Sequence, residues 1–197
     1  QEGMEGIRLL ILPACYEADQ KLADAVDGFI LGGGTVLCEA HLGGYDADRG
    51  RHSYHMPGLG LDQRWGIREE YTTSSYYLSS AASESQFDTT DFNDDVKKAI
   101  DAYGLSGGKI FRIETEYGFD IYGAERFACL GGEDIEILGR VGDIPCIVMK
   151  RRGKGRILYC GTNLGEAAEY DEEAFERFLM KVFEISGAER NSVSVHQ

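Results

Sequence analysis

Residues 7–40 read IRLLILPACYEADQKLADAVDGFILGGGTVLCEA, and the rest of the chain can be understood as attached to this stretch. Ile7 to Leu12 is a continuous apolar run of strand length that ends at Pro13, and such a run is typical of a strand buried on both faces. Asp19 can cap a helix that begins at Gln20, because a short acidic side chain accepts hydrogen bonds from the first free amides of a helix. The stretch therefore predicts a buried strand followed by a helix.

The predicted helix carries its apolar side chains on one face and ends at three glycines. Those apolar side chains belong to Leu22, Ala25, Val26, Phe29 and Ile30. Gly32 to Gly34 end the helix, since glycine adopts the left-handed geometry of a helix end at little cost. Thr35 to Glu39 then has the composition of a second strand. We expect a right-handed βαβ unit whose two strands are adjacent, parallel and in the interior of a sheet.

The composition limits the class of protein. A chain of 197 residues fits a single domain, which we place over residues 1–197. The net charge of −14 and a pI of about 4.7 argue against a basic face for nucleic acid. No run approaches the ~18 apolar residues of a membrane span, and no segment resembles a signal peptide. These features predict a cytoplasmic protein that binds neither nucleic acid nor membranes.

The cysteines give no sign of a disulfide framework or a zinc site. They are Cys15, Cys38, Cys129, Cys146 and Cys160. Their number is odd and none belongs to a C-x-x-C pair, which fits reduced thiols in a cytosolic protein. We predict no metal and no cofactor.

Gly43 to His55 is rich in Gly, Asp and Arg and predicts a long loop. Asp46 and Asp48 superficially suggest a calcium loop, but their spacing misses the usual pattern, so a solvated turn is favoured. His52 and His55 are three positions apart and would suit a metal only on a helical turn, which this glycine-rich segment does not predict.

The middle of the chain contains two predicted helices and one predicted strand. Met56 to Trp65 predicts a short helix entered through a proline, and Ile67 to Tyr71 predicts a strand. Thr72 to Thr90 is rich in Ser, Thr and Tyr without a clear period, which favours a surface insertion over a ligand-binding loop. Phe92 to Tyr103 is amphipathic and predicts a helix.

From Lys109 onward the pattern changes to short strands separated by glycine-containing turns. The predicted strands are KIFRIETEY, Phe127 to Leu130, Ile135 to Leu138, Cys146 to Lys150 and Arg156 to Cys160. The basic turn RRGKGR leads into a strand and not into a helix, so we interpret it as a hairpin tip and not as a phosphate cradle. Asp171 is predicted to cap a last helix that ends at Gly187, and the final ERNSVSVHQ can begin one more strand.

These elements predict an α/β fold of the flavodoxin-like or amidotransferase-like kind. We expect a mainly parallel sheet with helices on both faces and antiparallel additions in the C-terminal half. The chain begins almost directly on a buried strand and stops at a possible strand. We therefore expect a fragment of a larger protein.

The end of the second strand is where class I glutamine amidotransferases place their nucleophile, in a G-x-C-x-G turn. The corresponding stretch here places Ala40, or a neighbour, at that position. Cys38 lies two residues early and lacks flanking glycines, so it is interpreted as a small buried hydrophobe. The partner histidine is also missing, since TNLGEAAEY after Gly161 contains none. We predict no catalytic residue; an unrecognised role of His41 or Cys15 is the minor alternative.

Three segments resemble the trimerisation domain of family 42 β-galactosidases. They are LLILPACYEADQKLADAVDGFILGGGTVL, PGLGLDQRWGIREE and ILGRVGDIPCIVMKRRGKGRILYCGT. The first segment matches the strand, helix and Gly-Gly-Thr of that family. The second matches its Pro-Gly, its short helix and the acidic residues that follow, and the third matches its Gly-Lys-Gly-Arg hairpin, all in the same order. The region from Thr72 to Gly108 departs from this pattern.

The resemblance implies a non-catalytic domain that assembles a trimer, with the catalytic carboxylates on a TIM barrel upstream. No barrel of the usual ~250 residues fits in this chain. The resemblance therefore implies a module of a glycoside hydrolase, and it transfers no catalytic residue.

Two alternatives stay open beside this oligomerisation module. One is a divergent amidotransferase-like hydrolase. The other is a sugar-binding or small-molecule-binding module that uses the strand ends near Ala40 to Tyr45, where open α/β sheets commonly bind ligands.

The loop from Gly43 to Leu61 and the residues beside it are the predicted contact region, because they are rich in the residue types enriched at binding surfaces. This region could form a ligand pocket or an interface with a partner. The candidate residues for either role are Tyr45, Arg49, Arg51, His52, Tyr54, Arg64 and Trp65. In the competing interpretation, the aromatic residues fold back over the sheet ends as a satellite core.

Overall fold

A curled, mixed sheet of nine strands dominates the protein, and three short strands form a second sheet. The computed structural model describes residues 6–74, 110–168 and 170–188. The strands are β1 (Leu9–Leu12), β2 (Glu17–Ala18), β3 (Thr35–Cys38), β4 (Tyr45–Asp46), β5 (Arg51–His52), β6 (Ile67–Ser74), β7 (Ile110–Thr115), β8 (Asp120–Gly132), β9 (Glu136–Val141), β10 (Ile144–Arg152), β11 (Gly155–Cys160) and β12 (Thr162–Asn163). The helices are α1 (Gln20–Leu31), α2 (Leu61–Trp65), α3 (Leu164–Ala167) and α4 (Glu172–Ser186).

The strand order of the large sheet is β1-β3-β11-β10-β9-β7-β8-β12, with β6 paired to β8. Within it, β3 is parallel to β1 and to β11. The other pairings are antiparallel. The long strand β8 pairs first with β7 and then with β6, and also with β12. The sheet curls because the two halves of β8 pair with different strands, the first half with β7 and the second half with β6.

The prediction of a flavodoxin-like or amidotransferase-like fold with a mainly parallel sheet is wrong. The fold is mainly β, and within the described residues parallel pairing joins only β1, β3 and β11 in the large sheet and β2 and β4 in the small one. The reason lies in the connections, since parallel neighbours need a long crossover whereas a tight turn joins only antiparallel strands. Gly118, Gly142 and Gly153 supply such turns with positive φ angles of 77°, 57° and 58°.

The predicted βαβ unit exists, but its first strand does not lie in the interior of the sheet. β1 pairs with β3 in parallel, as expected. β3 is buried at every position, whereas β1 lies at the end of the strand order in the described structure, with Ile11 41% exposed. Of these two strands, only β3 has a partner on both sides in the described structure and is therefore an interior strand.

Two apolar cores lie on opposite faces of the sheet, because neighbouring residues of a strand point to opposite sides. Val36, Ile157 and Tyr159 belong to one core together with α1 and α2. Leu37 and Leu158 belong to the other core together with α4. Helices therefore cover both faces at the parallel end of the sheet.

The predicted helix boundaries are largely confirmed. Asp19 accepts a hydrogen bond from the amide of Leu22 at 2.7 Å, and Asp171 accepts one from Ala174 at 2.9 Å. Gly187 ends α4 with a φ of 65°. The buried face of α1 differs from the predicted one, since Ala23 is buried and Ala25 is exposed.

The predicted helix from Met56 to Trp65 is helical only over its last five residues. The RRGKGR turn joins β10 to β11 as a hairpin, as predicted. The predicted helix at Phe92 to Tyr103, most of the 72–90 segment and the final strand in residues 189–197 lie outside the described residues.

Candidate functional site

The turn after β3 contains a residue in a sterically unfavourable backbone conformation. His41 has a φ of 63°, in the left-handed region that few non-glycine residues adopt. Ala14, which follows β1, has a φ of 43°. The two residues lie at the carboxyl ends of adjacent parallel strands, which is where open α/β sheets bind ligands. Backbone strain of this kind is concentrated at functional sites.

A buried carboxylate holds both the backbone and the ring of His41. The side chain of Glu69, in β6, is 2% exposed. Its Oε1 accepts hydrogen bonds from the amide of His41 and from the hydroxyl of Tyr159, both at 2.6 Å. Its Oε2 lies 2.8 Å from Nδ1 of His41. One carboxylate therefore fixes the conformation of the whole residue.

The environment of Glu69 keeps it ionised. Burial raises the pKa of this carboxyl. The hydrogen bond and charge of His41 and the hydrogen bond from the hydroxyl of Tyr159 together lower the pKa by more than burial raises it, so the pKa lies below its ordinary value. An ionised Glu69 favours a proton on Nδ1 of His41, the ring nitrogen that faces it. The other ring nitrogen, Nε2, then lies on the far side of the ring from Glu69.

Glu39 holds Ala14 in the same way. It is 7% exposed, and its Oε2 accepts a hydrogen bond from the amide of Ala14 at 2.9 Å. Its Oε1 accepts from the amides of Leu164 and Gly165, at 2.8 and 3.1 Å. The free amides at the start of α3 are therefore already occupied by a carboxylate of the protein itself.

A cleft of about 470 Å³ opens beside these two anchored residues. It is lined by Ala14, Tyr16, Ala40, His41, Met56 and Asn163. Ala40, the predicted nucleophile position, is 5% exposed at its floor. The residue with the strained backbone is His41, the next residue in the chain.

Cys38 does not have the properties of a nucleophile. It is fully buried, and its Sγ donates a hydrogen bond to the carbonyl of Leu158 at 3.6 Å. Burial, with smaller contributions from the charges of Glu69 and other groups, raises the pKa of the thiol well above its ordinary value. A thiol in this state is inert, since the thiolate is the reactive form.

Most of the predicted contact residues lie together on a second surface. Arg49, Arg51, His52 and Tyr54 line a second cleft of about 340 Å³. Tyr45 packs edge-on against His52, with ring centroids 5.3 Å apart. We call Tyr45, Arg49, Arg51, His52 and Tyr54 the loop surface. Tyr54 is 92% exposed.

The two remaining predicted residues lie elsewhere. Trp65 is 1% exposed and packs in the core with α1, where its Nε1 donates to Asp27 at 3.0 Å. This is the satellite-core arrangement that competed with an interface role. Arg64 forms an ion pair with Asp24 at 2.8 Å. Neither residue belongs to the loop surface.

Sequence reasoning missed Glu69 and Tyr159. The signal for Glu69 was the alternation of β6, because Ile67 and Glu69 are two positions apart and face the same side of the strand. An acidic residue on the inward face of a strand indicates a buried partner, and here the partner is His41. Tyr159 carried no comparable signal. In the described part of the chain, no group of three or more His, Cys, Asp or Glu side chains could hold a metal ion.

The fold is similar to a part of several family 42 β-galactosidases. A catalytic mutant of the enzyme from G. stearothermophilus matches over 90% of this chain and 21% of its own, with a TM-score of 0.62 and 15% identity. The cold-adapted β-galactosidase from Rahnella sp. R3 matches over 92% and 23%, with a TM-score of 0.63 and 15% identity. The β-galactosidase from Bacillus circulans sp. alkalophilus matches over 91% and 22%, also at 0.63 and 15%.

The chain thus spans about a fifth of the length of the β-galactosidases that it matches. At this identity the likeness establishes the fold, which is that of a minor part of a glycoside hydrolase. No family model matches the sequence, and no curated protein is detectably similar to it. None of the described helices is both long enough and apolar enough to cross a membrane.

Proposed function

We propose that this chain is a non-catalytic accessory domain of a larger glycoside hydrolase, and that it contributes to a trimeric assembly. The observation that carries the proposal is the match of nearly the whole chain to about a fifth of family 42 β-galactosidases. A fold that fits only a minor part of an enzyme suits an accessory role. The catalytic carboxylates would then lie on a barrel elsewhere in the same polypeptide.

The groups at the strand ends support the absence of catalysis by a nucleophile. Cys38 is buried with a raised pKa, and Ala40 has no reactive group. The amides that could have stabilised an oxyanion at the start of α3 are occupied by Glu39. An amidotransferase-like hydrolase would need these positions to be free and reactive.

The loop surface is the part of the domain best suited to a partner subunit. Tyrosine and arginine are enriched at the centres of protein interfaces, and the loop surface carries two of each. Tyr54 and Arg51 are exposed, and the side chain of Arg49 is 61% exposed. The charge of Arg49 is offset by its ion pair with Asp46 at 3.0 Å, so Arg51 is the arginine that adds positive charge to this surface in a chain with a net charge of −14.

The assembly role can be tested on the full-length protein that contains this chain. Light scattering should give the mass of a trimer, and Tyr54→Ala combined with Arg51→Ala should shift it towards the monomer. Tyr170→Ala is the matched control, because Tyr170 is a 64% exposed tyrosine outside the loop surface. An unchanged trimer in the double variant would remove the loop surface from the interface. A full-length protein without a catalytic barrel would contradict the accessory role itself.

A further inference from the structure

The cleft beside His41 has the position, size and lining of a binding site. It lies at the carboxyl ends of parallel strands and has a volume of about 470 Å³, within the ~300–1,000 Å³ of small-molecule sites. We propose that it binds a small neutral ligand rich in hydroxyl groups, of the size of a monosaccharide. This inference does not depend on the assembly role.

The side chains that line the cleft determine the class of ligand. His41, Tyr16 and Asn163 provide polar groups, and the other three lining residues are apolar. None of the six is Lys, Arg, Asp or Glu. A phosphate or carboxylate would lack a cationic partner, and a metal ion would lack an anionic one, so a neutral hydroxyl ligand fits best.

An aromatic residue stands at the mouth of the cleft. Tyr16 is 43% exposed, and its hydroxyl lies 2.9 Å from Nδ1 of His52, which fixes the ring in place. The C–H groups of a sugar ring give it apolar patches that pack on such a surface, while its hydroxyls require polar partners. A combination of an aromatic surface and a few oriented polar groups satisfies both.

His41 is the residue most specifically prepared for a ligand. Glu69 holds its amide and its Nδ1, and therefore leaves Nε2 as the nitrogen able to exchange a hydrogen bond with a ligand. A histidine that only formed an ion pair with Glu69 could do so from an ordinary backbone conformation, so the strained backbone of His41 indicates a further role. Ala14, which follows the carboxyl end of the adjacent strand, is also strained and also held by a buried carboxylate. These are two of four non-glycine residues with positive φ in the described structure, and they line one cleft.

The binding can be measured by titrating the ¹⁵N-labelled chain and following its amide NMR signals. The probes are the neutral hexoses D-glucose, D-galactose and D-mannose, with inorganic phosphate and D-galacturonate as charged comparisons. At least one hexose should cause saturable shifts of the amides of Ala14, Ala40 and His41. The ring nitrogens of His41 should shift in the same titration, which a purely structural histidine would not show.

Two variants separate a specific site from general weak binding. His41→Asn removes the imidazole and suits a left-handed backbone, since asparagine tolerates positive φ. It should weaken hexose binding by about tenfold, the effect of losing one good hydrogen bond. His55→Asn is the matched control outside this cleft and should bind as the wild type does.

Several results would overturn the proposal. They are the absence of saturable hexose shifts in the folded wild-type chain, saturation by phosphate or galacturonate in place of the hexoses, and equal hexose affinity in His41→Asn and His55→Asn. Should His41→Asn fail to fold, Tyr16→Leu at the exposed mouth replaces it, with the same expected loss.

Discussion

Arg152 binds Asp27 through two hydrogen bonds, from Nε to Oδ1 at 2.6 Å and from Nη2 to Oδ2 at 2.9 Å, across 125 positions of sequence. Asp27 also accepts from Nε1 of Trp65, and Arg152 donates to the carbonyl of Arg64. The pair therefore ties the β10–β11 hairpin to α1 and to the α2 region. A single buried carboxylate connects three segments that the chain brings together only when folded.

Asp27→Ala should lower the free energy of unfolding by about 2–4 kcal/mol, because it leaves Arg152 and the indole of Trp65 without their shared acceptor. The measurement is urea unfolding followed by fluorescence, which reports on this site directly because Trp65 is the single tryptophan. Asp24→Ala is the control, since Asp24 is an exposed partner of Arg64 on the same helix. Equal stability of Asp27→Ala and Asp24→Ala would show that the network contributes little.

Glu69 should make the protein less stable in acid. Its pKa is lowered by folding, from an ordinary value of 4.5, so its contribution to stability is present above that value and is lost as the pH falls through the lowered pKa. We expect Glu69→Gln to be much less stable than the wild type at neutral pH, and this difference to shrink below about pH 4.

The comparison requires urea unfolding of both proteins across that pH range. Glu70→Gln is the matched control, because Glu70 is the exposed neighbour in the same strand. Its difference from the wild type should stay small throughout. A Glu69→Gln difference that does not change with pH would show that Glu69 acts through packing and not through its charge.

Local signals in the sequence were sufficient for the parts of the fold that local chemistry determines. Asp19 and Asp171 were correctly identified as helix caps because a cap needs only a short acceptor next to the first free amides. The β10–β11 hairpin was correctly identified because its basic, glycine-containing turn separates two apolar runs. Strand direction over the whole sheet depends instead on which strands meet, and the prediction of a mainly parallel sheet gave the βαβ unit too large a share of it.

In the candidate site, too, the features set by local sequence are predictable and those set by tertiary contacts are not. A position near Ala40 was found by counting from the glycines, because the strand and its turn are local features. The pairing of His41 with Glu69 joins two residues that are 28 positions apart in the sequence, and it depends on the tertiary structure. Its residue type makes Trp65 a candidate for an interface, but in the structure its indole donates a hydrogen bond to Asp27 in the core.

The thiols of this chain should differ sharply in reactivity. Cys38, Cys146 and Cys160 are buried, and burial raises the pKa of each. Cys15 and Cys129 are only partly buried and therefore more accessible, although burial also raises the pKa of the Cys15 thiol. Brief alkylation of the native protein with iodoacetamide should therefore modify Cys15 and Cys129 first, and all five thiols only after unfolding.

Mass spectrometry of the intact and digested protein gives the number and the sites of the labels. Cys38→Ala is the informative variant, because it should leave the native labelling pattern unchanged. Rapid native labelling at Cys38 would contradict its assignment as a buried, inert thiol.

Gly155→Ala should destabilise the contact between β11 and the end of α1. An added Cβ would lie 2.1 Å from the carbonyl oxygen of Gly34 and 2.3 Å from that of Ile30. Both obstacles are backbone atoms, so the helix end and the strand must move apart. We expect a loss of about 1–3 kcal/mol in unfolding free energy, as for other overpacked sites, measured by thermal and urea unfolding.

Gly28→Ala is the control for this prediction, because it makes the same chemical change in α1 where no atom beyond the adjacent helix backbone lies within 4 Å of the added Cβ. Alanine is favoured over glycine inside a helix by about 0.8–1 kcal/mol, so this variant should be more stable than the wild type. The two alanines should therefore shift the melting temperature in opposite directions. Shifts of the same sign would mean that the close approach of β11 to α1 does not limit the size of residue 155.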